Sequence, residues 1–103
     1  MCNLVDARTD AAAVVMYCTQ TDVAFAMRAR YAKTASGRDT AQIAMAVLGI
    51  KIAVAYLVLG NESKSNEWIA TSRRLLTHVA RSGANGQNRK LVKQYLDQLP
   101  DSD

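Results

Sequence analysis

Seventeen consecutive residues, Ile43 to Leu59 (IAMAVLGIKIAVAYLVL), carry a single charge, Lys51, at their centre. Such a run either crosses a membrane or forms the middle of a small domain. A spanning helix needs about 20 apolar residues, and a charge at mid-bilayer costs about 2.5–3.5 kcal/mol. Many of the residues are Ala, which adds little driving force for insertion. The run therefore reads as a buried helix of a soluble protein. Ile52 to Leu59 is rich in β-branched and aromatic residues, but no turn signal interrupts the run. Ala at positions 41, 44, 46, 53 and 55 favours the helix over a strand. The spacing predicts a start at Asp39 or Thr40 and a stop at Gly60. Ile43, Val47, Ile50, Val54 and Leu57 form one stripe, and Ala44, Leu48, Ile52, Ala55 and Leu59 cover much of the rest. A helix apolar nearly all round is expected to be enclosed by others.

The remaining text is Ala-, Leu- and Met-rich between sparse glycines, with Pro100 as the one proline. A first helical stretch begins after Thr9 or Asp10. The polar step Thr19-Gln20-Thr21-Asp22 leaves open whether residues 10–35 form one helix or two. Val23, Met27 and Tyr31 share a face by their fourfold spacing. Ser36-Gly37 is expected to end this stretch, Gly37 adopting the left-handed cap. Ser63 or Ser65 is expected to cap a further helix to about Arg81. Its inward stripe takes in Trp68 or Ile69, Ser72, Leu75 or Leu76, and Val79, and Gly83 closes it. After residues 84–88 a last helix places Leu91, Val92, Tyr95, Leu96 and Leu99 on one side before Pro100. The expectation is one all-α domain over residues 1–103. It is a compact bundle of four to five antiparallel helices with a buried central helix near 40–59 and mobile ends at 1–8 and 100–103. The fragment Ala55-Tyr56-Leu57-Val58-Leu59-Gly60 resembles the end of the first helix of a tetratricopeptide repeat. That resemblance, confined to these six residues, implies a helical hairpin at this point.

Half of the residues are hydrophobic, which excludes a disordered chain, and the formal net charge is +4. That charge favours polyanions weakly and falls short of a dense nucleic-acid-binding character. Cys2 and Cys18 make neither a CxxC pair nor a zinc-ligand spacing. They read as two reduced thiols of a cytoplasmic protein, Cys2 in a frayed end and Cys18 as a small core residue. The opening residues lack a basic leader followed by an apolar stretch, so no signal peptide is expected.

Catalytic chemistry finds little support. His78, the one histidine, stands on a helical stripe with Arg74 and Arg81, which supply no orienting acid. The acids Asp6, Asp10, Asp22, Asp39, Glu62, Glu67 and Asp97 do not pair on a helix face, and no phosphate-cradling glycine motif occurs. The glycines of 83–86 precede a helix, a weak anion-binding signal that connectors share. No cofactor and no metal are expected. Lys51 has apolar neighbours at i±4, so it either snorkels along its stem or pairs with an acid such as Asp22 or Glu67.

Charge is segregated. Ten of the thirteen cations lie in two acid-free tracts. Arg28, Arg30, Lys33 and Arg38 occupy the first. Arg73, Arg74, Arg81, Arg89, Lys90 and Lys93 occupy the second. These six cations with His78 are the candidate partner-binding residues; a solvated basic face is the plainer reading of the same pattern. Apolar residues, four methionines included, exceed what so few helices can hide. The expected function is a non-enzymatic protein-interaction module of adaptor, chaperone or inhibitor type, acting as a homodimer on another, acidic protein and not on a membrane. Its surface is an apolar helix face flanked by basic residues. The alternative is a small basic helical nucleic-acid-binding protein. Against it, no aromatic residues interleave with the cations and no segment reads as a recognition helix.

Overall fold

The structure, a computed structural model, describes residue 2 and residues 5–82 and 86–99. Among them four helices and no strand occur: α1 (Ala11–Arg30), α2 (Ala35–Val58), α3 (Glu62–Ser82) and α4 (Gly86–Gln98). The all-α bundle expected from the sequence is the fold observed. Residues 10–35 hold a single continuous helix rather than two. The polar step does not break it, because the Thr21 hydroxyl donates to the Tyr17 carbonyl (3.0 Å) within the helix.

Two boundaries differ from the sequence expectation. Ser36 and Gly37 do not end α1. They lie in the first turn of α2, where the Thr34 side chain caps the helix by accepting from the Gly37 amide (3.0 Å). A hydroxyl at that point satisfies an orphan amide and overrides the glycine as a stop signal. α3 starts at Glu62 rather than after Ser63 or Ser65, since the Asn61 side chain accepts from the Lys64 amide (3.1 Å). Gly60 does end α2: its φ of +82° is the left-handed conformation that glycine adopts without strain. The helical hairpin across it is present. The stops expected at Gly83 and Pro100, and the ends at 1, 3–4 and 100–103, lie outside the described residues.

α2 packs against α1 on one side and α3 on another, and touches α4 near its start. Residues 8–13 line a shallow depression with Val58 and Leu59, so the start of α1 lies beside the end of α2. Two apolar clusters result. One joins Cys2, Val14 and Cys18 to Ile52 and Ala55, with Trp68 packed on it. The other joins Ile43 and Ala46 to Leu76, Val79 and Val92, with Tyr95, Leu96 and Leu99 around it. α2 and α3 approach closely at Gly49, where an added Cβ would collide with the buried Ser72 hydroxyl and meet the Trp68 ring at 3.5 Å. Ala46 and Ala53, both buried, share the Gly49 side of α2 by their spacing.

The molecule measures 37 × 30 × 19 Å. A helix with its side chains is about 10–12 Å across, so the thin direction holds two layers and no helix is surrounded. The expectation that α2 is enclosed on every side is therefore corrected: Val47, Val54, Leu57 and Val58 are exposed.

Candidate functional site

The stripe Ile43, Val47, Ile50, Val54 and Leu57 runs along one side of α2. Ile43 is 8% exposed under α4, whereas Leu57, four turns on, is 58% exposed. α4 has 13 residues, about 20 Å of helix, and covers only the beginning of the stripe. Beyond it Val47, Val54 and Leu57 are exposed, and Ile50 is half-buried. α1 has a second bare stripe. Met16, Val23 and Met27 are each more than half exposed, and Tyr31, just past the helix, is 70% exposed. By helical spacing these residues stand opposite Val14 and Cys18, which face α2. The shared face of Val23, Met27 and Tyr31 is thus present and points to solvent. Of the eleven large hydrophobic side chains exposed among the described residues, only Leu91 lies beyond α1, α2 and their caps.

The candidate cations stand elsewhere. Arg74, His78 and Arg81 are exposed on the side of α3 opposite Leu76 and Val79, and Arg73 is half-buried at its flank. Arg89, Lys90 and Lys93 are exposed on α4, away from the buried Val92. The Arg74 guanidinium donates to the Thr71 hydroxyl (3.2 Å), which lays it along its own helix. Arg28, Arg30, Lys33 and Arg38, all exposed, gather where α1 ends and α2 begins. Arg28 stacks over Phe25 at 5.1 Å and Arg30 over Tyr31 at 5.8 Å, so both guanidinia stay close to α1. The structure thus sets the α3–α4 cations on different helices from nearly all the bare apolar residues. Arg28 and Arg30 share α1 with its apolar stripe, and Arg38 and Lys51 share α2 with the other.

The cysteines overturn the reduced-thiol reading. Cys2 and Cys18 form a disulfide, and both are buried. Cys2, expected at a frayed end, is held in the first cluster with Val5 and Ala7 packed beside it. Lys51 is half-buried, and its ammonium donates to the Cys2 carbonyl (2.8 Å). Its partner is a backbone oxygen, so of the two alternatives left open by the sequence, snorkelling or pairing with an acid such as Asp22 or Glu67, the structure shows neither an acid partner nor a fully solvated head. Nothing in separations of 16 and 49 residues announces these contacts, which arise only where Cys2 is seated against α1 and α2. Asp22 is half-buried on α1, and desolvation raises its carboxyl above the usual value.

Among the described residues no group of three metal-ligating side chains occurs. α2 is one helix long and apolar enough to cross a membrane, with a mean hydropathy of 2.0. The chain matches no known protein family, no curated protein and no solved structure.

Proposed function

We propose that the chain is a non-enzymatic protein-interaction module that receives a protein partner along the bare stripe of α2. One observation carries this reading: the stripe is buried at Ile43, beside α4, and exposed at Val47, Val54 and Leu57, with Ile50 half-buried between them. A partner helix laid there would continue the cover that α4 begins, with apolar anchors at i, i+3 and i+4. Full burial of a Val or Leu side chain contributes about 1.5–3 kcal/mol, so three or four such anchors support a specific complex. The cations of α3 and α4, Arg73, Arg74, Arg81, Arg89, Lys90 and Lys93, with His78, favour an acidic surround on that partner and govern its rate of approach. Adaptors, chaperones and inhibitors all use surfaces of this kind. The cytoplasmic location expected above rested on free thiols; the disulfide favours an oxidising compartment instead.

A photo-crosslinking side chain placed at Val54 tests the reading. In extract of the native source it should give one discrete protein adduct, weakened by Leu57→Glu. Adducts that are absent, or indifferent to Leu57→Glu, would exclude the α2 stripe as the docking surface. A second reading, polyanion binding, draws on the exposed Arg74, Arg81, Arg89, Lys90 and Lys93. Affinity for nucleic acid falling linearly with salt on logarithmic axes supports it, and failure to be retained on a polyanion column at low salt removes it.

A further inference from the structure

We propose that the outward stripe of α1 is a self-association face, on which two copies pair α1 against α1 in antiparallel fashion across a two-fold axis. The face differs from the α2 stripe and is self-complementary. Turning a second copy about an axis between Thr21 and Asp22 sets Met16 opposite Met27 of the other copy and Gln20 opposite Val23. The same register sets Ala12 opposite Tyr31. All six residues lie on the side of α1 away from Val14 and Cys18, and all six are exposed.

Charge selects the antiparallel direction. Arg28, Arg30 and Lys33 close α1 without an acid among them, while Asp6 and Asp10 flank Arg8 at its start. A parallel pair would stack cations on cations. An antiparallel pair instead brings Asp6 and Asp10, before the start of one α1, toward the end of the other, where Lys33 follows the helix. Asp10 occupies the N-cap position, yet its side chain makes no bond to the first turn of α1, so the exposed carboxylate is not spent on its own helix. The Tyr31 ring, 70% exposed, is the most exposed large hydrophobic side chain among the described residues, and this register covers it.

Sedimentation of the full chain, disulfide intact, tests the proposal. The unaltered protein should sediment as a dimer. Val23→Glu and Met27→Glu should each give a monomer with unchanged helical circular dichroism, since both positions are exposed. Asp10→Lys and Lys33→Asp should each weaken the dimer about tenfold, because a two-fold axis counts every substitution twice. Mixing those two variants in equal amounts should restore a tight heterodimer, in which each altered residue meets its opposite charge. Leu57→Glu, on the α2 stripe, should leave the dimer intact, which separates this proposal from the partner-docking surface. A monomer at the highest attainable concentration overturns the proposal. So does a dimer that survives Val23→Glu and Met27→Glu, one that Leu57→Glu dissolves, or a charge-swapped mixture no tighter than its components.

Discussion

α3 and α4 keep their apolar residues to one side and their charges to the other, whereas α1 and α2 show little such sidedness, with α2 the more apolar of the two. The two pairs consequently meet water differently. Around α3 and α4, packing on the second cluster, with Trp68 reaching the first, uses up most of the oily side and leaves a polar one. Around α1 and α2, packing in a molecule two layers thick uses up one side of α1 and two sides of α2, and further apolar stripes remain outside. The cross-links differ too. A disulfide and a lysine hydrogen bond fasten the α1–α2 pair through Cys2. The α3–α4 pair packs through the second apolar cluster, with Leu76, Val79 and Val92 at its centre. The contrast teaches that apolar residues in excess of a helix's inward side are what leave a small protein surface for another chain.

Breaking the covalent tie has the largest expected effect. Cys18→Ala opens a loop of 16 residues, which on chain-entropy grounds costs about 3 kcal/mol. Urea unfolding should show the loss, and fluorescence of Trp68, which packs on the disulfide cluster, should report it. An unchanged midpoint would mean that the α1–α2 pair owes its stability to packing alone. Gly49→Ala comes next. The new methyl group collides with the Ser72 hydroxyl, and overpacking of this kind costs about 1–3 kcal/mol. Ser72→Gly should recover part of it in the double variant, as thermal melts of all three proteins would show. Without recovery, the strain lies against Trp68 instead.

Lys51→Met should cost about 1 kcal/mol, since it strips a partner from the Cys2 carbonyl while adding an apolar side chain to an apolar helix. The smallest effect belongs to Asp22. Burial raises its folded-state pKa above 3.8, so ionisation is harder in the folded chain than in the unfolded one. Between those two values stability falls as pH rises, and the penalty persists at neutral pH. Asp22→Asn should raise the melting temperature at neutral pH, and the gain should vanish below the unfolded value. A gain that persists in acid would assign it to something other than charge.

Much of the fold was legible because its signals are local. The 3–4 spacing of Ser72, Leu76 and Val79 marks an inward face directly, and Gly60 marks the end of α2. The boundaries that differ turn on which side chain wins a particular amide. Thr34 captures the Gly37 amide and Asn61 the Lys64 amide, and composition does not rank those choices. The surface was legible as a surplus but not as a location. The stripe Ile43 to Leu57 is visible in the sequence; that α4 is long enough to cover only its first residue is a fact of three-dimensional reach. The link from Cys2 to Cys18, and from Lys51 to the Cys2 carbonyl, needs a return of the N-terminal segment that no periodicity encodes.

Cys2 grips α1 through sulfur and α2 through its carbonyl, so one residue rivets both helices at the same level. Breathing of this hairpin must then begin at the far end, around residues 31–34, where neither fastening reaches. Amide protons should exchange in a gradient that quickens from Cys18 and Lys51 toward that bend. The basic cluster at the bend thus stands at the end of the pair that neither fastening holds.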